Sequence, residues 1–308
     1  MQTGSMIRQV EEGLFELIPA SGERLWVRLL DCSDRQLALD REIFKYLADK
    51  EPKLAIPRKE RELPPETALF DRRVVCYWPI TGEKADFFSE RQQRCGAEFL
   101  AGFHLALKHF RPVNLPPGTL GSLIAHWERR LLRLAEFQRV ATFRVAPGVF
   151  DRLYLDVCAD VLHQAKSALK KLKESDYHFY CNDGGQICLT RYRSDRFRLV
   201  QGRLMAWEFS MCRWELPVVD LYRYLLYLCR HCGYRREMVR KALDAYETIR
   251  PLEMKERYLL QVLFGFPDRL YRIISDFFLG RSRQTVRRQL QRFYKELMQS
   301  EERINIFN

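Results

Sequence analysis

Two acidic side chains in the middle of the chain have the chemistry that phosphoryl transfer requires. Asp183 could act as a general base, because a carboxylate within hydrogen-bond reach accepts the proton of an acceptor hydroxyl. Glu208 could bind magnesium, because carboxylate oxygens are its usual protein ligands. Arg191 and Arg196 lie between them, and a guanidinium neither accepts a proton nor favours a neighbouring cation. The segment therefore combines acids that suit catalysis with arginines that oppose it.

The composition is that of a folded protein. With 308 residues, 47% of them hydrophobic, the chain can form one large core or two lobes that share a cleft. Its N-terminus lacks the apolar stretch of a secretory signal, and no apolar run approaches the roughly 18 residues of a membrane span. We therefore expect a soluble protein made in the cytoplasm, with no membrane partner. The net charge of +12 permits phosphate, nucleic-acid or acidic-protein partners without selecting one.

The nine cysteines are scattered, and Cys229 and Cys232 form the one closely spaced pair. A structural zinc site usually takes four ligands from two such pairs, and the sequence has no second pair. We therefore expect reduced, buried thiols, no resident metal and no other cofactor.

The hydrophobic pattern predicts an α+β protein that begins with strands and continues with helices. Alternating segments predict strands over Leu14–Pro19, Arg24–Leu30 and Arg73–Trp78, and helical spacing of apolar residues predicts a helix over Asp34–Asp49. Short strands are expected again between residues 178 and 209. The other predicted helices are Ser89–Phe110, Leu120–Val140, Val149–Glu174, Val218–His231, Arg235–Thr248, Glu253–Phe264, Asp268–Phe278 and Arg283–Ser300.

Seven motifs follow one another along the chain: Trp26–Leu30, Glu42, Tyr77–Gly82, Phe99–His104, Ile187–Tyr192, Trp207–Phe209 and Leu216–Leu221. In this order the chain resembles the aminoglycoside phosphotransferase and choline kinase-like superfamily and, within it, the CotS-type spore coat proteins. The resemblance implies a two-lobed protein-kinase-like fold. The small β-rich N-terminal lobe would cover residues 1–80, and the large helical C-terminal lobe would cover residues 81–308, with a short β insert near residues 178–209.

The resemblance assigns the nucleotide-binding positions to unusual residues. In such folds a strand lysine binds the nucleotide phosphates and a helix glutamate positions it. Here the lysine position holds Arg28 and the glutamate is Glu42, which implies an Arg28–Glu42 pair kept as a structural strut; alternatively, Arg28 is an exposed strand residue. Trp78, at the junction of the lobes, either lines an adenine-sized slot or is buried between the lobes. A glycine-rich turn over the phosphates is not evident, since the turn at Ala20–Gly22 has one glycine.

Two registers remain open for the catalytic segment. In the first, the family's spacing places Leu189 at the loop histidine, Arg191 at the base aspartate, Arg196 at the metal-binding asparagine and Glu208 at the metal-binding aspartate. This register removes the base and the loop histidine and places an arginine where a metal ligand is needed. The two arginines would then neutralise Glu208.

In the second register, Cys181–Asp183 takes the place of the family's His-Gly-Asp. Asp183 would be the base, Cys188 would replace the asparagine, and Glu208 would remain the metal position. Outside both registers, Asp220 matches the aspartate of the Asp-Leu pair that follows the metal strand. Its place at the start of a helix after Pro217 implies a structural role, as a carboxylate that caps N–H groups.

These substitutions lead to the expectation of a pseudokinase: a kinase-like protein that performs no standard phosphoryl transfer. The CotS resemblance implies a structural or assembly role in the spore coat, other coat proteins as partners, and deposition from the mother-cell cytoplasm. The first alternative is an unconventional ATP-dependent small-molecule phosphotransferase, which would need ATP and Mg²⁺. The second is a nucleic-acid-binding protein, suggested by the basic helix over Arg281–Arg292, although motifs of the common nucleic-acid-binding folds are missing.

Overall fold

The computed structural model describes residues 6–58, 73–115, 120–300 and 302. Within these ranges it contains a four-stranded antiparallel sheet near the N-terminus, followed mainly by helices, as predicted for an α+β protein. No helix in the described part of the chain combines the length and the apolar character that a membrane crossing requires.

The N-terminal sheet has the strand order β1-β2-β3-β4, with β1 at Met6–Glu11, β2 at Leu14–Ile18, β3 at Leu25–Leu30 and β4 at Arg73–Tyr77. The last three strands match the predicted ones. Strand β1 was not predicted, because it lies at the sheet edge with nearly all of its side chains exposed and therefore shows no apolar alternation.

Helix α1, at Asp34–Lys50, begins with a capping box in which Ser33 and Gln36 each hydrogen-bond to the other's backbone N–H. Its buried stripe contains Leu39, Ile43 and Leu47, at the spacing of one helix face. The predicted helix over Asp34–Asp49 is therefore confirmed within one residue.

Five short strands form two further small sheets. Strands β5 (Glu83–Lys84), β7 (Phe197–Val200) and β8 (Arg203–Ala206) form one sheet, and β6 (Gln186–Cys188) pairs with β9 (Arg213–Glu215). The β7–β8 hairpin turns through Gln201 and Gly202, which both have positive φ angles, as a two-residue turn of this kind requires.

The other helices are close to those predicted, with one addition: residues 177–183, expected to begin a strand region, form a short helix. The helices are α2 (Glu90–Ala106), α3 (Leu123–Phe143), α4 (Val149–Glu174), α5 (Tyr177–Asp183), α6 (Pro217–Cys232), α7 (Arg236–Ile249), α8 (Met254–Gly265), α9 (Asp268–Phe278) and α10 (Val286–Met298).

The chain divides into two compact units. The first comprises Met1–Gly118, Gln186–Trp214 and Thr248–Arg250, and the second comprises Thr119–Gly185, Glu215–Glu247 and Pro251–Asn308. The N-terminal sheet, α1, α2 and the β6–β8 segment therefore belong to one unit. The lobe boundary after residue 80 stays a prediction.

Candidate functional site

The predicted metal position lies in a cluster of buried charges in the first unit. Glu208 follows strand β8 and is 8% exposed, and Arg28 lies in the middle of strand β3 and is 5% exposed. The ladder with β2 and β4 fixes the backbone of Arg28, which pairs in register with Leu14 and Val75. Strand β3 and the segment after β8 thus bring together two charged residues that are 180 positions apart in sequence.

Both carboxylate oxygens of Glu208 already have hydrogen-bond or ion-pair partners. Arg28 Nε donates to Oε2 at 3.2 Å, Arg196 Nη2 lies 3.2 Å from Oε1, and the Ser210 hydroxyl donates to Oε1 at 3.0 Å. The positive charges of these two guanidiniums would therefore oppose the binding of a metal ion at Glu208. The sequence predicted Arg191 and Arg196 beside Glu208. Arg196 does contact Glu208, but the second arginine is Arg28 and not Arg191, which is exposed.

Arg28 is also bound to a second carboxylate. Its Nη2 lies 3.0 Å from Asp195 Oδ2, and Arg193 contacts both oxygens of Asp195 at 2.9 and 3.1 Å. Partial burial opposes ionisation of Asp195, but the hydrogen bonds from Arg193 and the charge of Arg28 outweigh burial and lower its pKa. The cluster therefore joins three arginines through two carboxylates.

The predicted Arg28–Glu42 pair is not formed. Glu42 instead accepts hydrogen bonds from the backbone N–H groups of Val113 and Asn114, at 2.7 and 3.2 Å, and from the Asn114 side chain. The geometry of the helix explains the difference: a residue two positions from the buried Asp40 lies on nearly the opposite side of α1. Arg28 is a buried strand residue whose carboxylate partners are Glu208 and Asp195, which also corrects the alternative of an exposed arginine.

Asp40 is the carboxylate of α1 that faces the core. It is fully buried and binds Arg58 through both oxygens, at 2.5 and 3.1 Å. Its Oδ1 also accepts the backbone N–H of Phe209 at 2.5 Å, and Arg58 Nη2 donates to the carbonyl of Trp207 at 2.9 Å. Despite the opposing effect of burial, the surrounding negative groups raise the pKa of Arg58, so the guanidinium stays charged.

Aromatic side chains fill the space beside these ion pairs. Trp207 is 1% exposed and packs edge-on against Tyr77, with ring centroids 4.8 Å apart, and against Trp26 at 5.7 Å. The Tyr77 hydroxyl donates to the Trp207 carbonyl, and burial raises the pKa of Tyr77. The guanidinium of Arg198 lies over both tryptophan rings, at 5.7 and 5.8 Å.

The first hairpin of the N-terminal sheet turns at Glu12 and Gly13, where Gly13 has a φ of 71°. Adjacent Glu11 forms an ion pair with Arg198 of β7, so the hairpin is tied to that strand. A phosphate-binding turn presents converging N–H groups, whereas this turn contains the acidic Glu12 and follows the acidic Glu11. The turn at Ala20–Gly22 joins β2 to β3.

The remaining predicted positions of the first unit differ in exposure. Cys188 ends strand β6 and is fully buried, and Leu189 after it is also buried. Thr190 then adopts a positive φ of 58°, which is uncommon for a residue other than glycine. Trp78 follows strand β4 and is 39% exposed, so the alternative of a buried side chain is wrong, and its adenine-binding role stays a prediction.

Asp183 and Asp220 belong to the second unit. Asp183 is the last residue of α5 and is exposed. Asp220 lies in the first turn of α6 and is fully buried, and its structural role as a cap stays a prediction. The proposal that Asp183 is a catalytic base stays a prediction.

Several charged residues of the cluster and of the neighbouring ion pairs were not predicted from the sequence, namely Glu11, Asp40, Arg58, Arg193, Asp195 and Arg198. A sequence signal existed for Asp40, which lies three and four positions before the apolar Ile43 and Phe44 and therefore on the buried stripe. For the others the decisive information is the pairing of strands distant in sequence, which a single sequence does not contain.

Comparisons with known proteins identify the fold. No protein-family model matches the chain, and no curated protein matches it in sequence. Among solved structures, an aminoglycoside phosphotransferase from Alicyclobacillus acidocaldarius subsp. acidocaldarius DSM 446 has a TM-score of 0.80 at 15% identity, covering 99% of this chain and 91% of its own.

Two further structures are similar over most of the chain. The AMP-bound spectinomycin phosphotransferase APH(9)-Ia has a TM-score of 0.59 at 11% identity, and a choline/ethanolamine kinase family protein from Mesorhizobium loti has 0.57 at 11%; each covers 98% of this chain and 92% of its own. At such low identities the similarity establishes the fold alone. The chain thus has the fold of the kinase-like phosphotransferases, which confirms the predicted fold class.

Proposed function

We propose that this chain is a pseudokinase, a kinase-fold protein without phosphotransferase activity, and that it serves as an assembly component of the bacterial spore coat. The observation that supports the first part is the arrangement at Glu208, where Arg28, Arg196 and Ser210 occupy the carboxylate oxygens that would ligate a metal. An ion pair this well buried is costly to open, because each separated charge would lose its partner in a poorly solvated place.

The surroundings of Glu208 support the same proposal. Phosphoryl transfer depends on metal ions and cations that neutralise the transferred phosphate. Here Arg28 is committed to Glu208 and Asp195, and Arg198 to Glu11, so their charges are already balanced by carboxylates. In the register that assigns Arg191 to the base position, no carboxylate is available there.

The spore-coat part of the proposal rests on the CotS resemblance. The net charge of +12 suits partners with an acidic surface, since complementary charge accelerates and orients association. We propose other coat proteins as these partners and the mother-cell cytoplasm as the place of synthesis. Fractionation of sporulating cells of the source organism tests this part: the chain should be found in the coat extract, and its absence from that extract would remove the assignment.

The competing proposal is an ATP-dependent small-molecule phosphotransferase. It is favoured by the names of the similar structures, which include a spectinomycin phosphotransferase solved with ADP and spectinomycin. In this case Glu208 would bind Mg²⁺ after releasing its arginines, and Asp183 would be the base. Both residues are carboxylates and are chemically able to take these roles.

Calorimetric titration with ATP and Mg²⁺ separates the two proposals. The pseudokinase proposal predicts no saturable heat and no release of γ-phosphate with candidate hydroxylated acceptors. The competing proposal predicts saturable binding that is lost in Glu208→Ala and turnover that is lost in Asp183→Asn. Because Glu208→Ala removes a buried charge, its folding is checked by circular dichroism; Asp183 is exposed, so Asp183→Asn tests turnover without that complication.

A further inference from the structure

A cavity of about 290 Å³ lies within the first unit, beside the start of α1 and the segment that follows Glu208. Its walls include Arg35, Gln36, Leu39, Asn114, Met211 and Arg213. This volume is near the lower end of the range for small-molecule sites, so the cavity would hold a ligand of roughly ten non-hydrogen atoms.

Two arginines give the lining of this cavity a formal positive charge. Neither Arg35 nor Arg213 forms an ion pair with a carboxylate among the residues that the structure describes, and Nη2 of Arg35 donates a hydrogen bond to the backbone carbonyl of Leu115. Asp34 pairs with Arg73 at 2.8 Å, and Glu42 accepts hydrogen bonds from the backbone N–H groups of residue 113 and of the wall residue Asn114. The N-terminal end of the 17-residue helix α1 adds a partial positive charge.

The lining also has an apolar part, and its walls are held in place. Leu39 and Cys212 are buried, and Met211 is half-buried. Gln36 connects the two walls, since its Nε2 lies 3.5 Å from Met211 Sδ while its Oε1 accepts the backbone N–H of Ser33 at 2.8 Å. The capping box therefore fixes one wall of the cavity before any ligand binds.

We propose that this cavity binds a small organic anion, with a carboxylate or phosphate group at the two arginines and an apolar body against Leu39 and Met211. A guanidinium presents paired N–H donors that match the oxygens of such a group. The apolar wall would select an organic anion over an inorganic one, because inorganic phosphate has no surface to bury there. This inference is independent of the proposed function, as it requires neither a nucleotide nor a coat partner.

Four probes of similar size and different charge test the proposal: benzoate, phenyl phosphate, neutral benzamide and cationic benzylamine. Their binding to the whole chain is measured by thermal shift and calorimetry at constant ionic strength, without ATP. We expect saturable binding of benzoate and phenyl phosphate, weaker binding of benzamide and none of benzylamine. Arg213→Gln should weaken the binding of the anions by about tenfold, the effect of losing a charged hydrogen-bond partner.

Arg281→Gln is the matched control, since it removes an exposed arginine of the second unit and should leave the affinity unchanged. If Arg213→Gln folds poorly, Arg35→Gln, at an exposed position, carries the same test. Equal binding of all four probes, no binding of any, or equal effects of Arg213→Gln and Arg281→Gln would overturn the proposal. If inorganic phosphate bound as tightly as phenyl phosphate, the claim that the apolar wall selects an organic anion would be overturned.

Discussion

Two regions of the molecule use arginine in opposite ways. The two arginines that contact Glu208, Arg28 and Arg196, are buried or half-buried and bound to carboxylates. In residues 281–295, by contrast, no acidic residue occurs, and among the described residues none of the cations there forms an ion pair. These cations are Arg281, Arg283, Arg287, Arg288, Arg292 and Lys295.

The first region uses charge to stabilise the fold, and the second uses charge to attract anions from solution. A buried guanidinium needs a carboxylate partner, because an uncompensated charge in the interior is strongly destabilising. An exposed guanidinium is hydrated, contributes little to stability and instead generates a field that attracts anions. Changes in the first region should therefore affect the stability of the fold, and changes in the second should affect which partners the chain binds.

Replacement of Asp40 by alanine should have the largest effect. The change leaves the buried Arg58 without its bidentate partner and the Phe209 N–H without an acceptor. We expect a loss of about 3–5 kcal/mol in the free energy of unfolding, measured by urea denaturation. Asp34→Ala is the control, because it removes an exposed acid of the same helix and should cost at most about 1 kcal/mol. Similar losses in the two variants would contradict the comparison.

Glu208→Gln should have the second largest effect. It keeps the size of the side chain but removes the charge shared by Arg28 and Arg196. Because Arg28 retains Asp195, we expect a loss of about 2 kcal/mol, the range of one charged hydrogen bond. Thermal denaturation with circular dichroism measures it, and an unchanged or raised melting temperature would show that the cluster is not stabilising.

Asp195 should make a smaller, pH-dependent contribution. Its pKa is lowered in the folded chain, so its stabilising effect is fully present above its ordinary pKa of about 3.9 and is lost as the pH falls through the folded value. We expect wild type to exceed Asp195→Asn by about 1 kcal/mol at pH 7, since the site is partly exposed. The difference should shrink below pH 4. A constant difference from pH 7 to pH 3 would exclude this ionisation as its origin.

Joint replacement of Arg287 and Arg288 by glutamine should have the smallest effect on stability, within about 0.5 kcal/mol. Both side chains are exposed on α10. If the basic face binds RNA through its phosphates, the variant should reduce the dependence of binding on salt by roughly two counterions. Filter binding over a series of salt concentrations measures this slope, and a stability loss above 1 kcal/mol would remove the contrast with the Glu208 region.

The sequence predicted the elements better than the site. Helix α4 and helix α9 have the predicted bounds, because long apolar stripes at helical spacing are strong signals. At the site, the resemblance points to Glu42, although the helical spacing of apolar residues places Asp40 and not Glu42 on the buried face of α1. For the acidic residue of α1 that faces the core, the helical spacing of apolar residues was thus a better guide than the position expected from the family resemblance.

Other parts of the site depend on contacts that a sequence does not reveal. Arg28 was placed correctly in a strand, but its partners Asp195 and Glu208 are 167 and 180 residues away. The exposed strand β1 carries no alternation, so the hairpin that contains Glu11 was missed. Long-range strand pairing determines both features.

The contacts of Asp40 also have a mechanical consequence. Asp40 Oδ1 accepts a hydrogen bond from the backbone N–H of Phe209. Arg58, which donates to both oxygens of Asp40, also donates to the backbone carbonyl of Trp207. Any tilt of α1 would pull the backbone on both sides of Glu208 with it. The orientation of α1 and the direction of the Glu208 side chain are therefore coupled, so that a change in one requires a change in the other.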